Sequence, residues 1–303
     1  MNFKQLEVTD YQKLRFFFEN QPYRLCDYSL LSLIVWSNQR LRTFYFIEDN
    51  TLIICNKSNK SLKDNHLILP IAPSAKITPE YLFNLARKLG FVSYWSVPGD
   101  YLLKYDAQEI ESFFKVNEQT EFDDYIYVTE DLAHLKGNKF TRQRNLIHQF
   151  SKAYLDMVKV DIELINRDNS EDCLNFLNEW CDLRKCDMEH DEGLACEKMA
   201  AVKTLNNIDA LEVKGILIRI NGKVSAFGIS SRLTDQIGVL NFEKAYPNIK
   251  GLYQFLDNEC AKRLFAGYKY INKESDMKLP KLAQSKKSYN PVMKIKSYRL
   301  TVL

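Results

Sequence analysis

The clearest pattern of apolar and polar positions lies between Val213 and Ser230, where two strand-like runs flank Asn221-Gly222. That dipeptide accepts the positive φ angles of a two-residue hairpin. Met157 to Ile165 alternates through Val158, Val160, Ile162 and Leu164, which predicts a strand. In the run Ile237 to Glu243 a period of two places Asn241 and Glu243 on one face, opposite Leu240 and Phe242. If Tyr270 to Asp276 is extended, Tyr270, Asn272, Glu274 and Asp276 likewise share a face. Helical spacing is clearest from Thr78 to Gly90, where Leu82, Leu85, Ala86 and Leu89 form one stripe. Thr78 caps that helix, Pro79 takes its first position and Gly90 ends it. Further helices are predicted over Leu132 to Phe150, Ser170 to Lys185 and Lys250 to Ala266, with strands at Tyr125 to Thr129, Tyr268 to Asn272 and Pro291 to Thr301.

The polar stretch Asn117 to Asp124 suits a linker, so the chain divides into an N-terminal lobe, 1–124, and a C-terminal lobe, 125–303. The fold class is α/β (α+β), with mixed sheets flanked by helices. After residue 156 the order of strands and helices is similar to that of the GNAT acyltransferase fold, an analogy of fold rather than of activity.

Composition changes this picture little: of 303 residues, 46% are hydrophobic and 27% charged, as in ordinary globular proteins. The longest apolar runs fall well short of the roughly 20 residues of a bilayer span, and Met1 to Val8 shows no signal pattern, so a cytoplasmic location is expected. The seven cysteines are irregularly spaced and lack a Cys-x-x-Cys pair. Cys181, Cys186, His190 and Cys196 lie close in sequence, but the pattern reads as free thiols, with no metal site. The net charge of +3 is unevenly spread: Asp100 to Asp131 holds ten acids, and Lys136 to Lys159 holds six Lys or Arg. Lys278 to Leu303 holds seven Lys or Arg and no acid. Two basic stretches suit an anionic partner such as a tRNA backbone, with Arg142, Arg144 and Asn145 as contacts; the plainer reading is a solvated surface of offsetting patches.

Candidate chemistry gathers around the segment Ala245 to Gln254. The start of its helix offers free N–H groups and the positive dipole end. Lys250 adds charge, Gly251 leaves room for an anion, and Leu252 and Gln254 complete a donor-binding turn. The alternative is an ordinary helix start. Glu243 or Glu274 could take a proton from an attacking amine, since carboxylates set close together raise one another's pKa. The alternative there is a solvated strand end or a salt bridge to the basic tail. Tyr253 could protonate a leaving group, and Asp276 reads as an orienting or capping residue. No Walker loop or Gly-x-Gly-x-x-Gly occurs, which disfavours nucleotide hydrolysis and dinucleotide redox.

Several segments together carry a family resemblance: Cys26 to Trp36, Glu130 to Phe150, Phe242 to Tyr246, Gly251 to Gln254, Tyr270 to Met277 and Lys286 to Pro291. Over nearly its whole length the chain resembles stand-alone relatives of the C-terminal domain of bacterial phosphatidylglycerol lysyltransferases. The resemblance implies two tandem GNAT-like lobes and transfer of an acyl or aminoacyl group to an amine or hydroxyl. It implies acyl-CoA or aminoacyl-tRNA as donor substrate, with no tightly bound cofactor. The family's polar motifs fall on Arg144, Asn145, Glu243, Gly251, Tyr253, Gln254, Asn272, Glu274, Asp276, Lys286, Ser288 and Tyr289. One departure is Leu282-Ala283, where relatives commonly carry Leu-Arg. The membrane half of the lysyltransferases is absent, so a lipid acceptor does not follow. A rival reading is a GNAT-fold module that binds a ligand or RNA without turnover.

Overall fold

A computed structural model describes residues 2–72, 76–186 and 192–303. The chain runs through strands Lys4–Gln5 (β1), Leu41–Glu48 (β2), Thr51–Ser58 (β3), His66–Leu67 (β4), Ser93–Pro98 (β5), Phe114–Glu118 (β6) and Asp124–Val128 (β7). It continues with Val160–Leu164 (β8), Lys214–Ile220 (β9), Lys223–Arg232 (β10), Ile237–Ala245 (β11), Tyr270–Asn272 (β12), Met293–Ile295 (β13) and Ser297–Val302 (β14). The helices are Tyr11–Phe18 (α1), Leu30–Val35 (α2), Pro79–Leu89 (α3), Gly99–Leu102 (α4), Ala107–Glu111 (α5), Thr129–His134 (α6), Thr141–Phe150 (α7), Ser170–Arg184 (α8), Glu192–Leu205 (α9), Leu252–Leu264 (α10) and Pro280–Ser288 (α11). Among the described residues the strands form two seven-stranded sheets, β1-β2-β3-β4-β5-β14-β6 and β13-β7-β12-β11-β10-β9-β8. Each sheet is mixed and helix-flanked, the expected α/β (α+β) class. No described helix is long and apolar enough to cross a membrane.

The hairpin of β9 and β10 turns at Asn221 and Gly222, with φ of 51° and 82°. Thr78 Oγ1 caps α3 by accepting the Tyr81 N–H at 3.1 Å, and Gly90 ends it at φ 73°. Alternate residues of the second sheet feed two different layers. Ile216, Ile218 and Ala226 pack with Leu252, Leu256, Cys260 and Leu264 of α10. Leu217, Phe227 and Ile229 pack on the other face with Phe176, Leu177 and Trp180 of α8. That second layer continues through Leu31, Ile34 and Val35 of α2 into the first lobe, so both lobes share one core.

Three expectations change. The helix read over Leu132 to Phe150 breaks in two, because Leu135 and Gly137 adopt φ of 50° and 84° between α6 and α7. The single strand read near Pro291 to Thr301 is also two: Ile295 pairs with Asp124 in the second sheet, whereas Ser297 pairs with Pro98 in the first. The division at residue 124 is therefore crossed, since β14 lies between β5 and β6 and belongs to the N-terminal lobe. Ending the chain at Lys296 removes the strand that joins β5 to β6, along with the buried Leu300. Amide exchange in β5 and β6 is expected to speed up roughly tenfold or more relative to β9 and β10, read by hydrogen–deuterium exchange.

Candidate functional site

The site forms where two parallel strands part. β11 and β12 pair through Ile237–Tyr270, Gly238–Ile271 and Val239–Asn272, and then separate. Beside this wedge β11 carries a bulge: Leu240 pairs with Ser230 and Phe242 with the adjacent Ile229, leaving Asn241 over. An extra residue reverses the alternation. Leu240 consequently joins the α10 layer, and Phe242 joins the layer of α2 and α8. Asn241 and Glu243 do not share the face that a strict period of two assigns them. Asn241 Nδ2 donates to Ser32 Oγ of α2 at 3.3 Å, while its Oδ1 is buried without a hydrogen-bond partner. Glu243 faces α10, with its Oε2 3.1 Å from Lys273 Nζ.

Lys273 is shared. Its ammonium also lies 2.7 Å from Asp257 Oδ1 on α10 and 5.0 Å above the ring of Tyr289. Burial raises Glu243 to about 7 against the pull of Lys273, and Asp257 adds to the rise. Burial alone would lower Lys273, but Asp257 and Glu243 hold it well above its ordinary value.

Glu274 sits in an Asx turn just past the end of β12, its carbonyl still accepting from the Tyr125 N–H at 3.2 Å. β12 ends at Asn272, and Glu274 has φ 58°, so the shared face expected for Tyr270, Asn272, Glu274 and Asp276 does not form. The turn is held from both sides. Asn272 Oδ1 accepts the Glu274 N–H at 2.7 Å. The Lys286 ammonium donates to the carbonyls of Lys273, Glu274 (3.1 Å) and Ser275 (2.7 Å). A non-glycine residue in this conformation is held there only when its surroundings over-determine it. Glu274 Oε1 is buried and has no hydrogen-bond partner. Burial raises this carboxyl to about 8 against Lys286, with Asp124, Glu197 and Asp27 adding to the rise. Lys286 itself is lowered by burial. The Lys286 charge acts on both Glu243 and Glu274, lowering each against the rise that burial causes. Asp276 accepts from Tyr125 Oη at 2.5 Å and from the Lys278 N–H at 2.9 Å, fixing the far end of the turn.

The helix start differs from its expected form. Gly251 has φ 85°, and a Cβ there would meet Leu146 O at 2.1 Å and Phe150 Cβ at 3.0 Å. The glycine serves a close approach of α7, and the space reserved for an anion holds the α7 backbone instead. Leu252 is fully buried, Lys250 is exposed and Gln254 is half-buried. Burial raises the pKa of Tyr253, and beside it Trp180 Nε1 donates to the Ala245 carbonyl at 2.9 Å. Next to it, Lys244 Nζ lies 2.6 Å from Glu197 and 4.6 Å above Trp180. On α11, Ser288 Oγ donates to Ser285 O, and the Ser288 carbonyl accepts from Gln143.

The basic stretches are largely spoken for. Arg144 is exposed, but its Nη1 donates to the carbonyls of Leu135 and Gly137, at 2.5 and 2.6 Å, where α6 ends. Arg142 and Asn145 are exposed on α7. In the tail, Lys278, Lys294 and Lys296 pair with Glu121, Asp123 and Glu118 of the acidic stretch. This matches offsetting patches better than an open anion surface. Among the described residues no group of His, Cys, Asp and Glu is placed to hold a metal ion, and His190 lies outside them.

Sequence reading missed Asp124, Asp257, Lys244 and Lys273. Asp124 lay in what looked like a linker, and no motif marked Asp257 on α10. Lys273 was visible only as the residue between Asn272 and Glu274.

The model of the family described as phosphatidylglycerol lysyltransferase, C-terminal, matches residues 23–301. A conserved protein of unknown function from Bacteroides thetaiotaomicron VPI-5482 is similar in structure, with TM-score 0.89, 27% identity and 100% of both chains covered. The C-terminal domain of a putative lysylphosphatidylglycerol synthetase from Agrobacterium fabrum is similar with TM-score 0.59 and 13% identity, covering 86% of this chain and 83% of that one. A tandem GNAT protein from the clavulanic acid biosynthesis pathway aligns at TM-score 0.48 and 7% identity over 99% of this chain and 98% of that one. A search of curated proteins gives no match.

Proposed function

Because this chain belongs to the family of phosphatidylglycerol lysyltransferase C-terminal domains, we propose that it transfers an acyl or aminoacyl group to an amine or hydroxyl acceptor. The observation that supports this most is two buried carboxyls past the parting of β11 and β12, raised by burial to about 7 at Glu243 and about 8 at Glu274. At neutral pH such a pair holds one group able to accept a proton and one able to give it. The acceptor nitrogen or oxygen attacks the donor carbonyl, and its proton passes to Glu243. As the bond to the leaving thiolate or ribose oxygen breaks, Glu274 supplies that oxygen or sulfur with a proton. One proton exchanged with solvent resets the pair. Acyl-CoA or aminoacyl-tRNA is the donor in this reading, with exposed Lys250, Arg142 and Asn145 available to its phosphates.

Activity then requires Glu243 ionised and Glu274 protonated. The rate constant kcat/KM is expected to rise with pH through about 7 and fall through about 8. The test incubates the protein with labelled acetyl-CoA or labelled aminoacyl-tRNA and a panel of amines and alcohols. Transfer is expected, lowered roughly 10²–10⁴-fold in Glu243→Gln with an unchanged melting temperature. No transfer from either donor, or wild-type rates in Glu243→Gln, overturns the proposal. The covered start of α10 favours a second reading, a module that binds ligand or RNA without turnover. Ligand binding that survives both Glu243→Gln and Glu274→Gln, with no product formed, selects it.

A further inference from the structure

The described residues show a continuous hydrogen-bond chain from the N-terminal lobe to the turn of Glu274. Arg24 is anchored first, its Nε donating to Asp100 Oδ2 at 2.8 Å. Two residues on, the Cys26 N–H donates to Asp124 Oδ2 at 2.6 Å, and the Cys26 thiol lies 3.4 Å from Asp124 Oδ1. Asn272 Nδ2 reaches the same Oδ2 at 2.7 Å and the Arg24 carbonyl at 3.0 Å. The other end of that amide, Oδ1, holds the Glu274 N–H. Asp124 is completely buried.

We propose that the N-terminal lobe is a positioning device for Glu274: its segment Arg24–Asp27, through Asp124 and Asn272, fixes the turn that carries this carboxyl and sets its charge.

Geometry carries the first half. Glu274 stays at φ 58° because Asn272 and Lys286 hold its backbone, and Asn272 is itself oriented by Asp124 and Arg24. Without the N-terminal lobe, Asn272 Nδ2 loses the Arg24 carbonyl and Asp124 loses the Cys26 N–H. Electrostatics carries the second half. The charged groups that act on Glu274 come from four elements: Lys286 on α11, Asp124 on β7, Glu197 on α9 and Asp27 in the turn before α2. Two of the three acids belong to this inter-lobe junction, and Asp124, raised by burial and Asp27 to about 7, is ionised in part where Glu274 titrates. Each negative neighbour keeps the proton on Glu274 longer. The N-terminal lobe thereby supplies charge to a site built on the other sheet, and Asp124 acts through Glu274 as a positioning residue.

The proposal rests on the transferase reading only for calling Glu274 a working acid, and its test needs no turnover. Glutamate side-chain carboxyls labelled with ¹³C are titrated by NMR in the full chain, with resonances assigned through Glu274→Gln and Glu243→Gln. Asp124→Asn keeps the acceptor oxygen and removes the charge, and is expected to lower the Glu274 midpoint by roughly one pH unit. Asp27→Asn leaves every hydrogen bond of Asp124 in place and is expected to move the midpoint the same way by a smaller amount. The Glu243 midpoint is expected to stay put in both. If both variants leave Glu274 unmoved, or shift Glu243 equally, the proposal is overturned. If transfer is never detected but Glu274 shifts as stated, the positioning role stands and the catalytic reading alone fails.

Discussion

Gly251→Ala is expected to cost about 3 kcal/mol of stability, from a left-handed φ and from overpacking. Its Cβ would sit 2.1 Å from Leu146 O, a backbone atom in α7 that cannot rotate aside. Relief requires α7 to move off α10, which separates Phe150 from Phe255, rings 4.8 Å apart. A melting temperature lower by roughly 6–12 °C is the expected reading. Gly222→Ala separates the two contributions. Gly222 has a comparable φ of 82° but nothing within 4 Å of its added Cβ, so it bears only the conformational cost. The expected order is a large loss at 251 and a smaller one at 222. If Gly251→Ala instead melts like the parent and loses affinity for a phosphate-bearing donor, the helix start is an open anion site after all, and its contact with α7 is dispensable.

That glycine shows where sequence reading stops. The Asn221-Gly222 hairpin and the Thr78 cap were legible because each is decided within a few residues, by backbone conformations only certain side chains accept. Gly251 was read as leaving room for an anion, but what needs the room lies 105 positions upstream at Leu146. The bulge at Asn241 is a length mismatch between β10 and β11, and no pattern within β11 alone reveals it. The run after Pro291 reads as one strand because no Gly or Pro interrupts it, yet at Lys296 the backbone leaves one sheet for the other. In the site, Glu243 and Glu274 stood out as acids on predicted strands beside the helix start, and Lys286 only through the family resemblance. Arg144 looked like an outward cation, and only the broken helix before it gives its guanidinium two carbonyls to cap. Asp124 was hidden for the opposite reason: an acidic neighbourhood made it look solvated, whereas the fold buries it completely.

Lys273→Met is expected to produce the other large effect, one that depends on pH. The lysine side chain is 12% exposed and stands between Glu243 and Asp257, the latter 3% exposed. Removing the cation leaves two carboxyls facing each other with no compensating charge, a situation that typically costs about 3–5 kcal/mol. The sign with pH follows from proton uptake. Glu243 already titrates at about 7 with the lysine present, well above an unfolded glutamate. Without the lysine it holds its proton more tightly still, so the folded state binds more protons than the unfolded chain. Stability of the variant therefore falls as pH rises from the unfolded carboxylate range through 7 and beyond, and is best retained near pH 5. Chemical denaturation at pH 5.5 and 8.5 is expected to show a far larger deficit at the higher pH. Adding Glu243→Gln to Lys273→Met removes one of the two opposed charges and is expected to recover part of that deficit at pH 8.5 while changing little at pH 5.5. A deficit of equal size at both pH values would mean that Lys273 stabilises through the packing of its stem against Tyr289 rather than through its charge, and Glu243 would then owe its proton affinity to burial alone.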